Sequence, residues 1–251
     1  SLVEQNGHVT GVEIERDGQT LTLHARRGVV LAAGGFAAGR IAPQFRPATQ
    51  QHYTMSPITN DGAAFQLGLS VDARQGADLP SNFFWAPVSV LRRPDGSEER
   101  FPHLVTDRAK PGVIAVNQRG VRFVNESNSY HHFASAMQQQ PENAPCYLLC
   151  DAQAMKRYGL GLARPAPVNN DALVNAGYLH QAESLSELAQ QLGIDPQQLE
   201  HTVSRYNQHA ASGSDPEFHK GGNSYNRAMG DPGHRPNACN APLTRAPFYA
   251  V

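Results

Sequence analysis

A mixed fold, α+β shading into α/β, is what this sequence predicts, on three observations. Residues 9–14 and 20–25 alternate polar and apolar side chains around Asp17-Gly18, residues 28–33 form one continuous apolar run that ends in Gly34-Gly35, and two well-capped amphipathic helices lie near the end. Alternation with period two is the pattern of a strand with one face in water, and Asp-Gly between two such runs marks a tight hairpin turn. The run from Gly28 to Ala33 has no polar face, as expected of a strand buried on both sides, and paired glycines at its exit let the backbone turn sharply or approach a ligand closely.

The remaining elements follow in order. Asn60-Asp61-Gly62 opens a short helix over residues 63–67. Residues 79–110 read as loop-rich, with four prolines and the aromatic residues Phe83, Phe84 and Trp85. Residues 113–116 and 122–124 read as strands around a turn at Gln118-Arg119-Gly120, residues 130–139 as a helix stopped by Pro141, and residues 146–150 as a buried strand. Ser184 and Glu187 form a capping box, in which the serine oxygen accepts a backbone N–H and the glutamate reaches back. That helix runs to Leu192 and stops at Gly193. The next begins with Asp195 as cap and Pro196 at the first helical position, where a missing N–H costs nothing, and aligns Leu199, Val203, Tyr206 and Ala210 on one face.

Composition narrows the function. Hydrophobic residues make up 40% and charged residues 17% of 251, the profile of a globular protein with a real core. Lys and Arg number 21 against 22 Asp and Glu, with no basic stripe, so the field that a nucleic-acid binder needs is missing. No apolar run is long enough to span a membrane, and residues 1–5 lack the basic start and apolar middle of a signal peptide. Cys146, Cys150 and Cys239 are an odd, sparse set, which points to buried thiols in a reducing, cytoplasmic compartment rather than to disulfides or a metal site. GxGxxG after a strand, GxxxxGK[ST] and HExxH are all absent, and Gly34-Gly35 alone is a weak signal that reads first as a tight strand exit and only second as a phosphate or cofactor contact.

The segment from Pro111 to Met137, PGVIAVNQRGVRFVNESNSYHHFASAM, is more specific. Its Asn117, Gly120, Arg122, Phe123, Asn125 and Glu126 resemble the N-x-x-G-x-R-F-x-N-E turn of the flavoprotein superfamily that holds fumarate reductases and 3-ketosteroid dehydrogenases. VVLAAGGF (29–36) is similar to that family's flavin-domain strand and its Gly-Gly exit, and residues 59–77 to its T-x-D-G loop and helix. Residues 184–218 are similar to its helix pair, and residues 230–251 to its return segment, in the ketosteroid manner. The resemblance covers nearly the whole chain, with the segments in the family's order.

The resemblance implies an internal piece of an FAD-dependent dehydrogenase. Residues 1–80 would be a remnant of the FAD-binding domain, 81–240 the capping, substrate-side domain, and 241–251 the start of a return to the first. FAD would be contacted by Gly34, Gly35, Phe36, Asp61 and Gly62. Tyr130 stands four residues after Glu126, where the fumarate reductases carry an arginine proton donor; a tyrosine there resembles the ketosteroid dehydrogenases, in which it takes a proton from the carbon next to a ketone. Phe84 and Trp85, in an apolar approach segment, would contact a bulky apolar ketone rather than a small dicarboxylate. The partner of Tyr130 in enolising the ketone would lie beyond Val251. Two other readings stand beside this one: a reductase or dehydrogenase of another unsaturated acid, and, for the chain in isolation, a domain that neither binds flavin nor turns over.

Plainer roles remain open for the same residues. Tyr130 also fits a packed first-turn ring, Arg122 a structural ion-pair partner, Glu126 a surface charge or cap, Phe84 and Trp85 ordinary core aromatics, and Asp61-Gly62 a turn. His131 and His132 are adjacent in a helix and so point about 100° apart, which prevents both from serving one site.

Overall fold

The computed structural model describes residues 1–46, 51–79 and 81–251. Pro80, one of the four prolines noted above and the last residue of the expected first domain, lies outside the described residues. The chain forms two compact units, Ser1–Phe84 and Trp85–Val251.

The first unit opens with an antiparallel sheet of β1 (Leu2–Gln5), β2 (His8–Arg16) and β3 (Gln19–His24). Both connections are two-residue turns, Asn6-Gly7 and Asp17-Gly18, with φ positive at all four residues. That backbone matches the twist of the flanking strands, and Asn, Asp and Gly tolerate it best. Strand β1 was not anticipated, although Asn-Gly before an alternating run is the same signal as Asp-Gly. Ile14 pairs with Leu21 and Val12 with Leu23; Ile14, Leu21 and Leu23 are exposed. Helix α1 (Ala63–Leu69) starts at Gly62, whose φ is 93°. A small core is made by rings: Phe36 packs on Phe45, Phe65 and Phe83 at centroid distances of 4.9, 5.8 and 5.5 Å.

The apolar run over residues 28–33 is not a strand. Among the described residues it pairs with no strand, and Val30 is 89% exposed. A strand buried on both faces needs a hydrogen-bonded neighbour and a covering layer, and the described residues of this unit supply neither.

The second unit begins with a hairpin, β4 (Val88–Arg92) and β5 (Glu98–Pro102), turned at Asp95-Gly96. Part of the stretch read as loop is therefore sheet: prolines at 87, 94 and 102 sit at its ends and turn, where no ladder N–H is needed. Short helix α2 (Val105–Arg108) leads into β6 (Val113–Asn117). Then come α3 (Tyr130–Met137), β7 (Cys146–Cys150), α4 (Ala152–Tyr158), α5 (Asp171–Asn175) and β8 (His180–Ala182). Helices α6 (Leu185–Leu192), α7 (Pro196–Ala210) and α8 (Ser224–Met229) and strand β9 (Phe248–Ala250) complete it.

The four-stranded antiparallel sheet, in the order β6-β7-β9-β8, is covered on both faces. Val113 and Ala115 of β6, with Leu148 and Cys150 of β7, pack on the side of Phe133 and Met155. Ile114, Val116 and Leu149 point the other way, onto Leu188, Leu192, Leu199 and Val203. Every residue of β6 is consequently buried, which is why its sequence shows no alternation. The capping box at Ser184 and the Asp195-Pro196 start of α7 form as their sequences predict. Residues 241–251, expected to start a return elsewhere, contribute β9 to this sheet, between β7 and β8. Residues 122–124 are not a strand: they form an irregular segment held by side-chain bonds from Arg122 rather than by a ladder.

Candidate functional site

Two loops read separately from the sequence as cofactor contacts come together in the first unit. The Gly62 N–H donates to the Gly35 carbonyl (3.2 Å) and the Ala38 N–H to the Asn60 carbonyl (3.0 Å). The approach leaves no room for side chains: a Cβ on Gly39 would lie 1.9 Å from the Asp61 carbonyl oxygen, and one on Gly34, at φ 87°, would lie 2.4 Å from Asn60 Oδ1. Asp61 Oδ1 accepts the Ala63 N–H at 3.0 Å and so starts α1. The Phe36 ring is committed to the aromatic core, whereas the Gly34-Gly35 backbone is exposed and the Cα of Gly35 faces open space. These residues fit one edge of a flat, polar cofactor such as a flavin: bare backbone, close-approach glycines and a helix start. Phe84 closes this unit at 89% exposure.

In the second unit, the sequence motif proves to be a buried ionic core. Arg122 Nε and Nη2 donate to the two carboxylate oxygens of Glu126 (2.9 and 2.8 Å), and Nη1 and Nη2 to those of Asp215 (both 2.9 Å). Its guanidinium lies between the rings of Tyr206 and Phe218, each 4.9 Å away. Glu126 also accepts the Ala115 N–H of β6 at 3.0 Å, and Asp215 accepts the Lys220 N–H at 3.1 Å. Burial alone would raise the Glu126 and Asp215 carboxyls, but Arg122, with Lys220, outweighs it and holds both below their ordinary values. Arg122 therefore takes the structural ion-pair reading, whereas Glu126 is neither a surface charge nor a helix cap: it is fully buried as that arginine's partner. Asp215 sits 93 positions from Arg122, so no local pattern could announce it.

A second buried arginine, Arg108, points at the approach to α3. Nε donates to the His103 carbonyl (2.9 Å), Nη1 to that of Glu126 (2.6 Å) and Nη2 to that of Asn128 (3.1 Å), with the guanidinium 4.4 Å over the Phe133 ring. Desolvation lowers its pKa to about 10. The loop leading into α3 is thus fixed from behind, and Ser129 caps the helix by accepting the His132 N–H at 3.2 Å. Tyr130 is the first residue of α3 and is 38% exposed. Next to it, His131 Nδ1 accepts the Trp85 backbone N–H at 3.0 Å, while His132 is exposed. Trp85 is half-buried.

Behind the hairpin a polar chain has no sequence signature. His103 Nδ1 lies 2.5 Å from Asp107 Oδ2, His103 Nε2 2.7 Å from Ser89 Oγ, and Ser89 Oγ 2.6 Å from the Tyr178 hydroxyl, which accepts the Leu162 N–H at 3.0 Å. One consistent set of donors runs Leu162 to Tyr178 to Ser89 to His103 to Asp107, so every member is satisfied and the hairpin is tied to the loop at 160–162. Among the described residues, no group of three or more His, Cys, Asp or Glu is placed to hold a metal ion, and no helix is long and apolar enough to cross a membrane.

Comparison with known proteins matches residues 1–251 to the model of a family described as "FAD binding domain". The chain is 36% identical, over 98% of its length, to 4-oxocyclohex-2-ene-1-carboxylate 5-dehydrogenase of Sinomonas cyclohexanicum, of which it covers 42%. It is 32% identical over its whole length to 3-oxosteroid 1-dehydrogenase of Mycobacterium tuberculosis, of which it covers 46%. Among solved structures it is similar to 3-ketosteroid delta1-dehydrogenase from Sterolibacterium denitrificans in complex with 1,4-androstadiene-3,17-dione, with a TM-score of 0.83 and 34% identity, over all of this chain and 46% of that one. The chain spans less than half the length of these relatives.

Proposed function

We propose, for a chain that belongs to the FAD binding domain family, that the whole protein is an FAD-dependent dehydrogenase that desaturates a C–C bond beside a ring ketone, with Tyr130 as the proton acceptor. One observation carries the reading: Tyr130 stands half-exposed at the first position of α3, on a helix start that Arg108, Ser129 and Phe133 hold in place.

The reaction removes a hydride and a proton from neighbouring carbons and leaves a C=C bond conjugated with the carbonyl. FAD, when bound, supplies the acceptor for the hydride. Gly34, Gly35, Phe36, Asp61 and Gly62 would hold it: Gly34 and Gly35 through exposed backbone, and Gly62, buried against Ile41 and Phe36, by shaping the loop. The phenol oxygen of Tyr130 takes the proton from the carbon next to the ketone. Only the phenolate form can take that proton, so the phenol's own proton must first pass to solvent, and the step depends on the acidity that the ketone lends to the C–H bond. Phe84 and Trp85 supply apolar contact for the ring system. The domain reading places the flavin-side residues in 1–80, the substrate-side residues in 81–240 and a return from 241. Two of the relatives are named for oxidising a ring that bears an oxo group, which favours a cyclic ketone, 3-ketosteroid-like, as substrate. The cytoplasm suits three free thiols, two of them buried.

The test is Tyr130→Phe in the full-length protein, assayed with a 3-ketosteroid and with 4-oxocyclohexanecarboxylate and an artificial electron acceptor. Loss of a positioned proton acceptor should cost about 10²–10⁴-fold in kcat. Desaturation surviving within about tenfold, roughly 1.4 kcal/mol, refutes the role.

A further inference from the structure

His131 and Trp85 are 46 positions apart in sequence, yet the Trp85 N–H ends on His131 Nδ1 at 3.0 Å. An imidazole nitrogen accepts only through a lone pair, so the ring proton of a neutral His131 is placed on Nε2. Downstream of Trp85 the chain is pinned again: the His103 N–H donates to the Pro87 carbonyl (2.8 Å), and Ser89 of β4 is held between His103 and Tyr178. The segment 85–89 is therefore tied at its far end to the hairpin and the 160–162 loop, and at its near end to the residue that follows Tyr130. Because α3 is itself fixed by Arg108, the bond from His131 sets the position of Trp85 relative to the Tyr130 backbone.

We propose that His131 is a positioning residue that holds Trp85 in register with Tyr130, so that the apolar contact to a ring ketone and the proton acceptor move as one body. This rests on the roles proposed above for Tyr130 and Trp85. It assigns His131 neither proton transfer nor substrate contact. Its contribution is to substrate binding: without the bond, Trp85 samples other positions and the ketone is held less often at the Tyr130 oxygen.

Full-length protein carrying His131→Phe should show KM for the cyclic ketone raised about three- to tenfold, the worth of one neutral hydrogen bond, with kcat nearly kept. His131→Asn, whose Oδ1 can stand where Nδ1 stood, should restore most of the affinity. Trp85 is the single tryptophan of this chain, so its emission can be isolated by subtracting the spectrum of Trp85→Phe. That component should shift to the red in His131→Phe and return in His131→Asn. An unchanged KM and an unchanged Trp85 emission in His131→Phe, with circular dichroism intact, overturn the proposal. Loss of kcat to the same extent in both variants also overturns it, by making His131 a reacting group. The emission needs no turnover, so it still decides the coupling if Tyr130→Phe stays active and the parent reading fails.

Discussion

Replacing Glu126 by glutamine removes one charge from the centre of the second unit while keeping the side chain's shape. Four charges meet there, Arg122 and Lys220 against Glu126 and Asp215, and all four residues are at most 7% exposed. In Glu126→Gln the carboxamide oxygen can still accept the Ala115 N–H, but its NH₂ group faces the Arg122 donors, and the cluster is left one positive charge in excess. Removing one partner of a buried, hydrogen-bonded pair costs about 3–5 kcal/mol, because the remaining charge stays buried without compensation. Set against the ~5–15 kcal/mol that holds a domain folded, that is a large share. At about 2–4 °C per kcal/mol for a unit of this size, the melting temperature should fall by roughly 6–20 °C. The assay is thermal and urea unfolding followed by circular dichroism, with Glu217→Gln as the comparison. Glu217 is 4.0 Å from Arg122 and 29% exposed, and its loss should cost under about 1 kcal/mol. The pH dependence has a definite sign. The Glu126 carboxyl is held below its unfolded value, so its contribution is complete above about pH 4.3 and is lost as pH falls through the lower, folded value. The variant should show a shallower fall of stability on acidification, by up to one proton. A melting temperature within about 2 °C of the parent protein, or an unchanged acid limb, would refute this account of the cluster.

The other predictions concern the glycine loops and the thiols. Gly39→Ala puts a methyl group against backbone that cannot move aside, so it should destabilise by about 1–3 kcal/mol and lower the FAD content of the full-length protein. Gly35→Ala meets nothing within 4 Å, so it should leave folding intact and lower FAD retention alone; equal flavin absorbance in this variant and the parent protein removes Gly35 from the proposed site. Burial raises the Cys150 thiol well above its ordinary pKa, and its side chain is 1% exposed. Mass spectrometry after a thiol reagent should find Cys150 unmodified in the folded protein and modified in urea, and rapid native labelling would contradict the buried β7.

Local chemistry by itself settled the elements whose signals lie within a few residues. Asp17-Gly18 specifies its turn because only that backbone suits the strands on either side. Ser184 with Glu187, and Asp195 with Pro196, specify helix starts because the groups that satisfy the first N–H bonds are already in place. The motif around Arg122 to Tyr130 was visible as a pattern and identified the family, and the exposure of Tyr130 keeps its proposed role open. Tertiary structure alone decided what those residues touch. Arg122 and Glu126 became core because Asp215, Tyr206 and Phe218 arrive from distant segments, and His131 acquired a partner because the chain returns Trp85 to its side. The apolar run at 28–33 makes the converse point. Hydrophobicity states a preference for burial, but a strand exists only where another stretch of backbone supplies its hydrogen bonds, and no window of sequence contains that information.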